Sequence, residues 1–77
     1  AASDVYKRQL TVHEASLVLQ SIEMLNASIL AYSYDGKRLP DHNDGRDVLA
    51  SLNETQLVLF HINRSSTPPT VTLIVQR

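Results

Sequence analysis

The stretch that most constrains this chain is residues 26–39, Asn-Ala-Ser-Ile-Leu-Ala-Tyr-Ser-Tyr-Asp-Gly-Lys-Arg-Leu. Within it, residues 29–34 alternate and are rich in β-branched and aromatic side chains, which predicts a strand. The Asp35-Gly36 pair that follows is a strong signal for a two-residue hairpin, because a type I′ turn needs positive φ at both central positions. We therefore expect residues 37–39 to return as a short strand, and any fold for this chain must accommodate that hairpin.

A long amphipathic helix is predicted just before the hairpin, over residues 11–25. Thr11 and Glu14 have the spacing of a capping box, in which each side chain accepts a hydrogen bond from the backbone amide of the other residue. Six apolar residues follow the i, i+3, i+4, i+7 rule for one buried helix face: Val12, Ala15, Val18, Leu19, Ile22 and Leu25. Leu17 and Met24 fall on the opposite side. They indicate a helix buried on both sides or a surface whose cover is missing; the alternative is isolated exposed apolar residues of the kind common on protein surfaces.

A short helix and a strand are predicted after the hairpin. Residues 40–45 are polar and rich in loop-forming residues, and residues 46–52 have the apolar spacing of a short second helix. Residues 55–62 contain a nearly continuous apolar run, Leu-Val-Leu-Phe-His-Ile, after a Thr and a Gln. Such a run is typical of a central strand that is buried on both faces.

Residues 10–63 are predicted to be one small folded unit with different segments on either side. Residues 1–9 contain the string Asp-Val-Tyr-Lys-Arg-Gln, which resembles the translated end of a sequencing adapter, so we expect them to contribute nothing to the fold. The alternative is a genuine polar N-terminus. Residues 64–69 form a predicted linker, because two consecutive prolines oppose both helix and ladder pairing. Residues 70–77 are either the opening strand of a following repeat or a strand that folds back on residues 56–62.

Length and composition limit the classes of function. A chain of 77 residues forms one small domain with a limited core. It has no cysteine, which excludes disulfide frameworks and thiolate metal sites. Its formal net charge of −1 argues against a nucleic-acid or anionic-membrane partner. No apolar run approaches the roughly 18 residues of a membrane span.

Motifs for catalysis, cofactors and metals are lacking in the sequence. His13, His42 and His61 are far apart and do not have the spacing of zinc ligands. The chain contains no Gly-x-Ser-x-Gly nucleophile elbow and no glycine-rich loop that would cradle a phosphate. We therefore expect a protein that is not an enzyme and that binds no metal or cofactor.

The order of helix, hairpin, short helix and buried strand resembles the second half of a ubiquitin-like β-grasp, and residues 18–62 resemble the doublecortin domain. The positions that carry this resemblance are Leu19, Leu25, Ala27, Tyr32, Ser33, Asp35, Gly36, Lys37 and Leu39. The expected fold is therefore α+β, a partial β-grasp. Its main helix at residues 11–25 would pack on a small mixed sheet, with a short second helix at residues 46–52.

The doublecortin resemblance implies a non-catalytic interaction module that binds tubulin or a signalling scaffold protein, located in the cytoplasm on the cytoskeleton. Lys37, Arg38 and Arg46 are the candidate residues for contacts with acidic tubulin; a solvated hairpin tip is the alternative for these residues. Leu17 and Met24 are the candidate apolar contacts with a partner or a neighbouring repeat. Because electrostatic steering needs opposite charge, the weak net charge predicts only weak microtubule affinity.

A second hypothesis comes from a different class of protein. The chain also resembles the short N-terminal domain of secretins and TonB-dependent receptors, a periplasmic interaction domain of the bacterial envelope. That module alternates helices with strand pairs and ends in a strand similar to Thr-Val-Thr-Leu at residues 70–73. The flanking genomic sequence distinguishes the two hypotheses: further repeats support doublecortin, and a signal peptide with an outer-membrane barrel supports the alternative.

Overall fold

A computed structural model describes residues 5–39 and 45–76 of the chain. Its four strands form one mixed sheet in the spatial order β1-β3-β4-β2, so the fold is α+β. One main helix and a short second helix pack on this sheet, as predicted. In chain order the elements are β1 (Val5–Thr11), α1 (Val12–Leu19), a 3₁₀ turn (Ile22–Met24), β2 (Ser28–Ser33), α2 (Gly45–Ser51), β3 (Leu57–Asn63) and β4 (Thr70–Val75).

The strand pairing places β3 and β4 at the centre of the sheet. β3 runs antiparallel to both β1 and β4, whereas β4 runs parallel to β2. The predicted central position of the apolar run in β3 is confirmed. β4 pairs with β3, which agrees with the second of the two alternatives for residues 70–77, a strand that folds back on residues 56–62. Residues 64–69 therefore form a loop within one sheet, and it includes a cis peptide bond between Thr67 and Pro68.

β1 corrects, for residues 5–9, the expectation that residues 1–9 contribute nothing to the fold; residues 1–4 lie outside the described residues. It pairs with the whole of β3, from Val5 opposite Asn63 to Thr11 opposite Leu57. Sequence periodicity missed this strand because Lys7, Arg8 and Gln9 are exposed; an edge strand is held by backbone pairing and commonly carries charged side chains. A single described strand precedes α1, where a β-grasp has a hairpin.

Both helices pack on the same face of the sheet. α1 contacts β1 and β3, α2 contacts β2, and the two helices contact each other. One apolar cluster lies between the layers, consisting of Leu10, Val12, Ala15, Leu19, Met24, Ala27, Ile29, Ala31, Leu49, Val58, Phe60, Ile62, Val71 and Leu73. Among the described residues, no helix is both long enough and apolar enough to cross a membrane.

The main helix begins where it was predicted and ends earlier. At its start, the Glu14 amide donates to Thr11 Oγ1 over 3.1 Å and the Thr11 amide donates to Glu14 Oε1 over 3.0 Å, which confirms the capping box. α1 ends at Leu19, and Ser21 has the extended backbone angles φ −65° and ψ 152°. The predicted helix over residues 11–25 is therefore a two-turn helix followed by a 3₁₀ turn.

This break changes which apolar residues are buried. Ile22 and Leu25, predicted for the buried face, are 87 % and 56 % exposed. Met24, predicted for the opposite strip, is 2 % exposed and belongs to the core. In a single continuous helix, Ile22 and Leu25 would have stayed on the buried face and Met24 on the opposite side. Their different burial follows from the break at Ser21.

The hairpin forms with a different turn from the one predicted. Gly36 has a φ of +88°, and no other described residue has a positive φ, so Asp35 does not meet the requirement of a type I′ turn. The Gly36 amide donates to Ser33 O over 3.0 Å and the Ser33 amide donates to Lys37 O over 2.7 Å. This is the three-residue loop in which a left-handed glycine follows a tight turn. The return strand is a single bridge between Tyr32 and Arg38.

The remaining elements agree with the sequence pattern except in burial. The short second helix, predicted at residues 46–52, is α2. β3 alternates between buried and exposed residues, so the prediction of burial on both faces is wrong for this chain by itself. The predicted polar loop at residues 40–45 lies outside the described residues apart from Gly45.

Candidate functional site

The side of the sheet that faces away from the helices carries exposed apolar residues, and we call it the open face. Side chains alternate between the two faces of a strand. Val58, Phe60 and Ile62 point to the helices and are buried, so the intervening Leu57 and Leu59 lie on the open face. They are 43 % and 39 % exposed.

Apolar residues from neighbouring strands extend this surface. Leu59 pairs with Ile74, and Ile74 pairs in turn with Tyr32. Residues directly opposite each other in a sheet have Cβ atoms roughly 5 Å apart, so these three side chains form a row across three strands. Leu57 and Leu30 lie in adjacent rows, and Tyr32, Ile74 and Leu30 are all partly exposed. The open face therefore has a contiguous apolar centre.

Two cations lie on the open face in the part of the chain that the structure describes. Lys7 pairs with His61 on this face at the β1 side of the sheet. Arg38 is bridged to Tyr32 at the β2 side. The five described carboxylates lie in the helices, the hairpin tip and the loop before β3; they are Glu14, Glu23, Asp35, Asp47 and Glu54. Among the described residues, strand pairing therefore places two cations, Lys7 and Arg38, on the open face beside its apolar centre.

The two apolar residues predicted to contact a partner have different environments. Leu17 lies on α1 and is 54 % exposed, so its side chain is accessible. Met24 is enclosed in the core, which corrects its assignment as a partner-binding residue. The predicted strip of Leu17 and Met24 is therefore not a surface of this molecule.

The three predicted basic residues are also not brought together as one site. Lys37 and Arg38 are exposed in the hairpin. Arg46 belongs to α2, and its guanidinium donates to the carbonyl oxygens of Met24 and Leu25 over 2.7 and 3.2 Å. These contacts give Arg46 a structural role, since they join α2 to the turn that follows α1.

A cleft of about 190 Å³ lies between α1 and α2 and contains Arg46 at its edge. Apart from Arg46, its lining consists of Ser16, Leu19, Gln20, Leu49 and Ala50. Because the guanidinium is already bonded to backbone carbonyls, the cleft offers a small apolar recess without a charged group aimed into it. It is smaller than the pockets of roughly 300–1,000 Å³ that hold small ligands.

The electrostatics of the α1 start are set by the capping box. The backbone amide and then the hydroxyl of Thr11, both donating to the carboxylate, hold the pKa of Glu14 below its usual value of 4.5. Arg8 and His13 act in the same direction. Within the described residues, no three His, Asp or Glu side chains lie close enough to hold a metal ion, and His42 lies outside those residues.

Sequence reasoning missed the open face, although the signal was present. Within residues 57–62, apolar side chains occur both at the positions that face the helices and at the alternate positions. The alternate positions include Leu57 and Leu59. By itself, this signal predicts burial on both faces by the chain's own core. The structure assigns only one of the two faces to that core.

Comparisons with protein-family models, with curated proteins and with solved structures find no match to this chain. The function is therefore argued from the open face and its surroundings.

Proposed function

We propose that this chain is a non-catalytic protein-interaction module that binds its partner through the open face. The observation that carries the proposal is the row of Leu59, Ile74 and Tyr32 with Leu57 beside it, on a sheet face that the helices do not cover. Contiguous exposed apolar surface of this kind marks interaction sites in proteins. Burial of such side chains supplies binding free energy in proportion to the apolar area removed from water.

Tubulin or a scaffold protein is the partner class that we propose from the doublecortin resemblance, with a cytoskeletal location. Recognition would occur mainly by packing, because the net charge of −1 provides little electrostatic steering. Lys37 and Arg38 at the hairpin then contribute less to the binding free energy than the leucines of β3 do. We expect weak microtubule affinity with a shallow dependence on salt.

Microtubule co-sedimentation at low and moderate salt tests this proposal. The wild type should pellet weakly at both salt concentrations, and the Leu57→Ser/Leu59→Ser variant should pellet less than the Lys37→Ala/Arg38→Ala variant. Circular dichroism of each variant checks that the fold is retained. Tight binding that falls steeply with salt and is lost in the Lys37→Ala/Arg38→Ala variant would move the site to the hairpin. No pelleting at all would remove tubulin as the partner.

The secretin and TonB-type periplasmic domain is a second candidate, and one observation favours it. A single strand precedes α1, and the order strand, helix, strand, helix, two strands is similar to the alternation expected for that module. The genomic sequence on either side tests this candidate. A signal peptide and an outer-membrane barrel in the same reading frame would support it, whereas further doublecortin repeats would exclude it.

A further inference from the structure

We propose that the outer edge of β1 binds an extended segment of a partner protein, which pairs with β1 in the antiparallel sense and adds a strand to the sheet. This inference goes beyond the proposed function, because it concerns the edge of the sheet and not its open face. Two observations carry it: the direction of the backbone N–H and C=O groups along β1, and the difference between the two edges of the sheet.

The direction of the backbone groups along β1 follows from its pairing with β3. In an antiparallel pair, the N–H and C=O groups of every second residue face the partner strand. The Val12 amide donates to Gln56 O over 2.8 Å, and the strand before it pairs with β3 one to one. The even-numbered residues of β1 therefore face β3, whereas Val5, Lys7 and Gln9 direct their backbone groups outward.

The other side of β3 leads to the same assignment. The Gln76 amide donates to Leu57 O over 3.0 Å, so the backbone groups of Leu57 face β4. Thr11, which pairs with Leu57, then faces outward from β1. Its amide donates to Glu14 Oε1 over 3.0 Å, and the C=O of an N-cap residue accepts the first hydrogen bond of its helix. The part of the edge that can accept a strand thus ends at Gln9.

The two edges of the sheet differ, and among the described residues only the β1 edge is open. On β2, the Leu39 amide donates to Ala31 O over 2.9 Å and Tyr32 is bridged to Arg38, so the hairpin covers that edge. Proteins also protect edges with prolines, bulges, very short strands or charged side chains. β1 has seven residues, no proline and no bulge, and of these protections it has only the charges. An edge of this length is a template for pairing with another chain.

An extended polypeptide matches the outward groups of β1. In a strand, residues that face the same way recur about every 6.8 Å, and this is the spacing of the outward N–H and C=O groups at Val5, Lys7 and Gln9. A helix uses its backbone groups for its own hydrogen bonds and cannot pair there. Antiparallel pairing is slightly more stable per residue than parallel pairing. The ligand is therefore a flexible segment that becomes a strand on binding, with affinity supplied mainly by its main chain.

A second copy of the chain fits this edge less well. Two β1 strands related by a two-fold axis pair in registers centred on residue 7, 8 or 9 within the described residues. The registers centred on residues 8 and 9 pair outward residues with Thr11, whose backbone groups are already bonded. The register centred on residue 7 uses all three outward residues, but it places Lys7 directly opposite its own copy. Like charges in that position destabilise a sheet.

Amide hydrogen exchange and an NMR titration of the folded chain provide the test. Because the main chain supplies the contacts, the probe is a generic strand-forming peptide of about seven residues in which threonine and valine alternate. In the free chain, the amides of Lys7 and Gln9 should exchange fast and those of Arg8 and Leu10 slowly. On peptide addition, the Lys7 and Gln9 amides should shift and become protected, while exchange at Arg8 and Leu10 stays slow.

Two N-methylated forms of the peptide are the matched controls. N-methylation of alternate residues removes the amide donors on one side of the peptide only. The form methylated on the side that faces β1 should bind about tenfold more weakly or worse, because several hydrogen bonds are lost. The form methylated on the other side should bind as the unmodified peptide does. These two probes need no variant of the chain.

A proline at the edge tests the same assignment from the side of the protein. Gln9→Pro removes an N–H that points away from β3, and edge strands tolerate proline at such positions. Peptide binding should be about fivefold to tenfold weaker in Gln9→Pro than in Gln9→Ala. The control variant Gln9→Ala loses the same side-chain amide and keeps the N–H. Circular dichroism of both variants checks that the fold is retained.

Several results would overturn the inference. Slow exchange of the Lys7 and Gln9 amides in the free monomer would show that the edge is covered within the chain. Peptide-induced shifts centred on Leu57 and Leu59 would move the site to the open face, and no shifts at millimolar peptide would mean that the edge accepts no strand. Equal weakening by both N-methylated forms would exclude strand pairing. A dimer in light scattering that protects Lys7 and Gln9 and that the peptide does not dissociate would make a second copy the occupant.

Discussion

Phe60 and Leu59 are neighbours in β3 with opposite environments, and this difference makes a direct test at the residue scale. Phe60 is fully buried against the helices, whereas Leu59 is 39 % exposed on the open face. Phe60→Ala should lower the free energy of unfolding by about 3–5 kcal/mol. Leu59→Ala should lower it by about 1 kcal/mol or less. Urea denaturation of both variants measures the two values, and equal costs would mean that the open face is covered within the chain.

Gly45 and Gly36 are both required as glycines, for different reasons. A Cβ added at Gly45 would lie 2.3 Å from Ile29 Cγ2, whereas one at Gly36 would have no neighbour within 4 Å. Gly45→Ala should therefore cost about 1–3 kcal/mol through overpacking. Ile29→Leu moves the branch away from the backbone and should recover part of that cost in the double variant.

Gly36→Ala is the matched control for the pair of substitutions Gly45→Ala and Ile29→Leu. Its cost of about 1 kcal/mol comes from the left-handed backbone at φ +88°. Ile29→Leu should not change that cost, because the two sites share no contact. Additive costs at Gly45 and Ile29 in a double-mutant cycle would show that the close approach between them does not exist in solution.

At the scale of elements, the start of α1 has a pH dependence with a definite sign. The pKa of Glu14 is lowered in the folded state from 4.5, so its contribution to stability is fully present above about pH 4.5. That contribution is lost as the pH falls through the lower pKa of the folded state. Glu14→Gln keeps the capping geometry without the charge. The difference in urea midpoint between wild type and Glu14→Gln should be constant at neutral pH and should disappear in acid; a difference that grows on acidification would contradict the assignment.

Arg46 of α2 holds the 3₁₀ turn that follows α1. Its two hydrogen bonds to the carbonyls of Met24 and Leu25 are charge-assisted. Arg46→Met keeps much of the side-chain volume and should cost about 1.5–3 kcal/mol. Amide exchange in the 3₁₀ turn should increase in this variant, with little change in β3. Unchanged amide exchange at residues 22–25 would show that the turn forms without the hydrogen bonds from Arg46.

These two ends of α1 show what local sequence can predict. The capping box is a contact between residues three apart, so Thr11 and Glu14 reveal it directly. The turn that follows the break at Ser21 places Met24 in the core and accepts hydrogen bonds from Arg46 of α2, and helical periodicity does not contain these contacts. The hairpin is similar: Asp35-Gly36 indicates a turn, but the choice between two-residue and three-residue loops depends on how Ser33 and Lys37 pair.

At the scale of the whole molecule, the open face was the part of the candidate site that sequence predicted least well. Helix phase and charge predict Leu17, Met24 and Arg46. The break in the helix places Met24 in the core, and hydrogen bonds to the 3₁₀ turn give Arg46 a structural role. The face itself is formed by β2, β3 and β4, which are brought together only by the strand order. A parallel pair between β2 and β4 is not indicated by any local pattern, so the row of Tyr32, Ile74 and Leu59 required the structure.

The contribution of β1 to the whole fold is the last prediction. The ladder between Val5–Thr11 and Leu57–Asn63 makes β3 a central strand, and the Leu10 side chain is part of the core. A chain that begins at Leu10 keeps only the last two ladder pairs and leaves one edge of β3 open beside Phe60 and Ile62. Small domains have only about 5–15 kcal/mol of stability in total, so this truncation should abolish cooperative thermal unfolding relative to a chain that begins at Val5. A loss below about 1 kcal/mol would mean that residues 5–9 are a passive tail, as their resemblance to an adapter suggests, and that the working sheet is β3-β4-β2.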